Sequence, residues 1–115
     1  VSGTATVHGP RMTFVGEVVG ASISSAGNSI ADDADNGFTI VVAVNGNTAF
    51  SLDTGVTDVN AATVNMTENA TAANKRFAVG EEISVVFTEE NTAVNFAAGT
   101  VVWVTVMQGY DFAGE

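Results

Sequence analysis

The chain has 115 residues, enough for one domain whose single core needs no covalent staples. Three Lys and Arg stand against 13 Asp and Glu, a net charge of -10 that opposes phosphate backbones and anionic lipid, so neither a nucleic-acid nor a membrane partner is expected. The absence of cysteine excludes disulfides, zinc–thiolate sites and thiol nucleophiles.

Charged residues make up only 14% of the chain, so its solubility rests on Thr, Asn, Ser and Gly as well. No apolar run approaches the roughly 18 residues that would span a bilayer. No basic-then-apolar leader occurs at Val1, the expectation being a mature form or a chain made without a signal.

Residues 1–10, VSGTATVHGP, form a small polar arm closed by Pro10, the only proline. The arm is expected to pair as an edge strand or to reach a neighbouring subunit. Residues 11–115 are read as the folded domain. Arg11–Ser24 reads as one long strand, with Met12, Phe14 and Val18 on one face and Val15, Val19, Ala21 and Ile23 on the other. Gly16 and Gly20 mark a bend, a bulge or a close backbone approach.

A turn-rich loop covers residues 25–36. The next stretch, GFTIVVAVNGNTAFSL, is the strongest local signal in the chain. Phe38, Ile40, Val42 and Val44 alternate with Thr39, Val41 and Ala43, and Asn45-Gly46 supplies the positive φ angles of a type I′ hairpin turn. Val41 and Ala43 are apolar too, so the second face of this strand is expected to meet protein.

Strands are predicted near residues 62–66, at 82–89, near 93–97 and at 100–108, with one helical turn inside the Ala-rich 61–73. In 100–108, Val102, Val104 and Val106 oppose Val101, Trp103, Thr105 and Met107, and both faces are apolar. About seven or eight short strands with Gly and Asn turns imply an all-β fold, a single antiparallel β-sandwich or jelly roll.

No catalytic constellation is legible. His8 is the only histidine, there is no G-x-S-x-G or phosphate-binding glycine loop, and a zinc site lacks ligands, so no catalytic residue, cofactor or metal is assigned. Glu81-Glu82 and Glu89-Glu90 flank one strand, roughly 20–25 Å apart by strand rise, too far for a glycosidase pair. Asp32, Asp33 and Asp35 suggest a calcium loop, but the twelfth position holds Ala43 or Val44 where an EF-hand needs glutamate. Two N-x-[ST] sequons begin at Asn65 and Asn69. Trp103 and Met107 share a face, with Tyr110 and Phe112 just beyond. Such a strip serves a subunit contact, a sugar platform or the domain core.

The order FVGEVVGASIS, FTIVVAVNGNTAFS, FAVGEEISVVF and AAGTVVWVTV, from about Phe14 to Met107, resembles a β-sandwich domain of tailed-bacteriophage virions. Val44-Asn45-Gly46, Gly80-Glu81-Glu82-Ile83 and Gly99-Thr100-Val101 carry the likeness. That family occurs in capsid-associated proteins and in fibres, and it has no catalytic set to transfer. The resemblance implies a structural virion protein. One compact acidic domain fits a decoration (cement) protein on the outer capsid surface, a trimer or dimer that bridges subunits of the major capsid protein. The candidate interface residues are Val1, Thr4, Thr6 and His8 in the arm, with Trp103, Met107, Tyr110 and Phe112. The alternatives are a carbohydrate-binding or host-recognition module, and a filament subunit that donates its N-terminal strand.

Overall fold

The computed structural model describes residues 4–24, 38–53, 63–89 and 100–109. They form nine antiparallel strands and no α-helix: β1 (Thr4–Arg11), β2 (Gly16–Ser24), β3 (Phe38–Val44), β4 (Asn47–Asp53), β5 (Val64–Asn65), β6 (Thr67–Glu68), β7 (Arg76–Phe77), β8 (Glu82–Glu89) and β9 (Val101–Gln108). One sheet runs β1-β8-β3-β4-β6. The other is built on β2, which pairs with β9 along one side and with β7 and β5 at the two ends of its other side. The predicted all-β sandwich is the observed architecture.

The hairpin forms where local chemistry demands it. Asn45 has φ 49° and Gly46 φ 83°, and the ladder runs from Val44–Asn47 to Thr39–Asp53 across a two-residue loop. Phe38, Ile40, Val42 and Val44 are almost completely buried and form the centre of the core. Leu52, Phe50 and Ile83 extend it within the same sheet, and Val18, Ala21, Ile23 and Phe77 meet it from the other. At about 25 cal/mol per Å², burying each of the Val, Leu, Ile and Phe side chains among these contributes roughly 1.5–3 kcal/mol against the entropy of ordering the chain. On the opposite face of β3, Ala43 is buried and Val41 half-buried, both covered within the same chain.

The long strand expected over residues 11–24 is strand only from Gly16 on, Arg11 being the last residue of β1. The chain leaves β1 at Arg11 and turns through Met12, whose N–H donates to the Glu81 carbonyl (2.9 Å) and whose carbonyl accepts from Gly80 N–H (2.7 Å). It enters β2 at Gly16. The expected facing also changes partway along β2. Val18 and Ala21 both point inward because the ladder with β9 slips by one residue between Val18 and Gly20. A bulge inserts one residue and exchanges the two faces beyond it. Met12, Val18, Ala21 and Ile23 therefore share the core, and Val15 and Val19 are exposed. Gly16 marks a close approach: a Cβ there would lie 2.3 Å from the Met107 carbonyl oxygen and 2.5 Å from the Phe77 ring. The Phe77 ring in turn meets Phe14 edge-on at 5.6 Å.

Thr4–Arg11 takes the edge-strand option: it pairs with β8, from Thr4–Thr88 to Arg11–Glu82. In place of a helical turn inside residues 61–73, a single 3-10 turn at Ala72–Lys75 starts at the last two residues of that stretch and runs past it. The strand expected near residues 93–97 and the Asp32–Asp35 loop lie outside the described residues, as do Val1, Tyr110 and Phe112.

Candidate interaction surface

Strand parity and ladder register decide what each side of the sandwich presents. The outer face of the larger sheet carries Thr4, Thr6 and His8 on β1, beside Thr88, Val86 and Ser84 of β8. Thr39, Val41 and Ala43 follow on β3, then Asp53, Ser51 and Thr48 on β4. Hydroxyls dominate this face. His8 Nδ1 lies 2.9 Å from Glu82 Oε1, and Arg11 donates to the Gly80 carbonyl at 2.9 Å.

The outer face of the smaller sheet is different. Across the β2–β9 ladder Glu17 opposes Met107, Gly20 opposes Thr105, Ser22 opposes Trp103 and Ser24 opposes Val101. Trp103 therefore lies against Ser22, with Gly20 and Ser24 at its diagonals, and none of these is large enough to cover an indole. It is 49% exposed, while Val15, Val19, Val101 and Met107 are 41–43% exposed. Five of the eight large apolar side chains exposed among the described residues thus lie on this one face, which makes it a patch rather than scatter. Polar groups rim it. Ser22 donates to Asn65 Oδ1 at 3.0 Å, and Arg76 Nε sits 3.6 Å from a Glu17 carboxylate oxygen.

A second apolar feature opens at the side of the sandwich, where β1 and β8 face β9. Val7, Ile83 and Val85 line one wall of a groove of about 370 Å³, and Val102, Val104 and Val106 line the other. Val102 and Val104 also pack on the core, so the inward face of β9 is the one carrying these valines and the Trp103 face is the outer one.

The candidate interface residues that can be located therefore fall into two groups on opposite sides of the molecule. Thr4, Thr6 and His8 are exposed on the hydroxyl face, and Trp103 and Met107 on the apolar face. Sequence reasoning missed Val15, Val19 and Val101 as part of the second group. Val101 already shared the Trp103 face by strand parity, whereas for Val15 and Val19 the bulge on β2 hid which face is the outer one.

Of the carboxylates singled out in the sequence, Glu81 and Glu82 have structural partners, and Glu90 lies outside the described residues. Glu81 Oε1 accepts from Ala78 N–H at 2.7 Å across the turn before β8, and Glu82 meets His8. The sequon asparagines are engaged too. Asn65 accepts from Ser22, while Asn69 donates to the Thr48 carbonyl and accepts from Thr71 N–H, both at 2.8 Å. Among the described residues no three His, Asp or Glu side chains converge to hold a metal ion. Comparison with known proteins returns no matching family model, no matching curated protein and no matching solved structure.

Proposed function

We propose that this chain is a structural docking protein of a virion, a decoration protein that sits on the outer capsid surface and bridges subunits of the major capsid protein. One observation carries the reading: the apolar outer face formed by Val15, Val19, Val101, Trp103 and Met107. An exposed Trp and Met within a polar rim match the composition of protein interfaces, where aromatic residues and Met are enriched and charges are depleted from the centre. The family resemblance supplies the capsid as the partner.

The mechanism is mechanical. An oligomer holding several such faces binds an assembled lattice through many modest contacts, and preferential binding to that lattice stabilises it by mass action. The acidic surface suits a position outside a shell that encloses DNA.

The test is co-sedimentation of the purified chain with empty heads of a tailed phage. Wild-type protein is expected to pellet with them, and the double substitution Trp103→Ser, Met107→Ser to remain in the supernatant with its fold intact. Equal pelleting of both would exclude this face as the docking site.

The exposure of Trp103 also favours a second reading, a sugar-binding module, since a half-exposed indole on an outer sheet face is a platform for a pyranose ring. A glycan array with and without chelator separates the two, and silence in both conditions counts against the sugar. The engagement of Thr4–Arg11 with β8 of its own chain weighs against a filament built by donating that strand.

A further inference from the structure

Among the described residues two long strands, β1 and β9, each pair with one neighbour only, and their outward edges differ. β1 contains Gly9, Pro10 and Arg11, and its ladder with β8 slips between His8 and Arg11. Proline, charge and irregular register are the devices that keep a sheet edge from pairing with another chain. β9 has none of them. Its sequence, VVWVTVMQ, lacks charge, proline and glycine, and its eight residues run regularly because the bulge lies on β2. Among the described residues β2 is its only strand partner, so about half of its N–H and C=O groups point outward. A net charge of -10 opposes contact between copies over most of the surface, and this uncharged edge escapes that repulsion.

We propose that β9 pairs antiparallel with β9 of a second copy about a two-fold axis through Val104, joining the two smaller sheets into one. A two-fold normal to the sheet keeps each face on its own side, so the numbers of opposing residues must sum to an even value. Centring on Val104 sets it against itself, Val102 against Val106, Trp103 against Thr105, and Val101 against Met107. Centring on Thr105 instead would set Val102 against Gln108 and break the row of valines. The Val104 register also brings the two apolar grooves together, so the exposed Val7 and Val106 of each copy gain cover.

Strand rise and sheet spacing make this side wall roughly 27 Å by 20 Å, on the order of 500 Å² per partner. That is close to the roughly 600 Å² per partner at the lower end of stable interfaces, so the dimer is concentration-dependent. The inference deepens the docking reading, since the dimer sets two Trp103 faces side by side on one continuous sheet, but the pairing itself requires no capsid.

The absence of cysteine makes the test clean. With Val104→Cys, the two introduced thiols meet across the axis at a Cα separation of about 4.5–5.5 Å, within disulfide range. With Val101→Cys they lie six residues of register apart, roughly 20 Å. Under mild oxidation V104C is expected to yield at least roughly tenfold more covalent dimer than V101C at equal concentration. Light scattering of the wild-type chain is expected to show a monomer–dimer equilibrium. Equal cross-linking by both variants, or a wild-type chain that stays monomeric at every concentration, would overturn the pairing.

A second pair of variants checks the register without relying on one position. W103K with T105K, and W103E with T105E, should each abolish the dimer, and mixing them should restore it as a heterodimer. Failure of the mixture to associate, with both variants folded by circular dichroism, would exclude the Trp103–Thr105 pairing. A chain that fails to bind capsids yet cross-links at position 104 supports the pairing and counts against the docking reading alone.

Discussion

The two outer faces of the sandwich rest on one core and present opposite chemistry to the solvent. Facing outward on the larger sheet, Thr4, Thr6, His8, Thr39, Thr48, Ser51 and Thr88 offer water polar partners, and the apolar Val41 and Val86 among them are half-buried. On the smaller sheet, Val15, Val19, Val101, Trp103 and Met107 do not. Both sheets have the same strand geometry and bury the same kind of residue inward, so folding alone does not account for the difference. A sheet face that must only be soluble carries hydroxyls, and an apolar face left uncovered marks a surface built to meet something else.

The largest test of this comparison asks whether the two faces belong to one cooperative unit. Phe38→Ala empties a fully buried site in β3 and is expected to cost about 3–5 kcal/mol. Trp103 is the only tryptophan and sits on the smaller sheet, so its fluorescence reports that sheet while circular dichroism reports both. Urea transitions should coincide by the two probes. Separate midpoints would mean that the faces ride on independent units.

A smaller effect is expected from Gly16→Ala, which drives a methyl group into the Met107 carbonyl and the Phe77 ring. The loss should be about 1–3 kcal/mol, measured by thermal or urea unfolding, and the β2–β9 ladder beneath the apolar face should lose amide protection first. An undiminished unfolding midpoint would show that the strands can separate without cost, leaving the apolar face less firmly held than its register implies.

Smaller again, Trp103→Ser should change stability by no more than about 0.5 kcal/mol while removing most binding of a hydrophobic dye, because its indole is already half in water. Thr6→Ser on the other face should alter neither quantity. The smallest shift is expected for His8→Gln, which removes an exposed contact with Glu82 and should move the unfolding free energy by a few tenths of a kcal/mol at most, roughly the value of a surface pair.

What could be read in advance followed the range of the interaction. The β3–β4 hairpin was legible residue by residue, because the positive φ angles at Asn45 and Gly46 are a local demand. The extent of β8 was legible from the alternation of Ile83, Val85 and Phe87. The facing of β2 was not, since one inserted residue at the Val19 bulge inverts every later assignment and apolar alternation carries no mark of it. Nor could β9 be oriented. Valines on one face and Val101, Trp103 and Met107 on the other are equally suited to a core, and only the small residues Gly20, Ser22 and Ser24 on the facing strand leave the indole exposed. The strand expected near residues 62–66 is there as the short β5, whereas the two-residue β6 and β7 carry no periodicity and exist because tertiary neighbours supply their partners.

The pairing of β2 with β9 also sets an order of events during synthesis. β3 and β4 can close on each other as soon as both have left the ribosome, since two residues separate them. β2 emerges before either, yet most of the described chain must follow before β9 arrives to pair with its full length. Until then its inward side chains Val18, Ala21 and Ile23 have no complete sheet to hold them. Such a topology folds slowly and leaves a nascent chain open to off-pathway contacts. Slower synthesis between β4 and β9 is therefore expected to lengthen the time for which the apolar side of β2 stays uncovered.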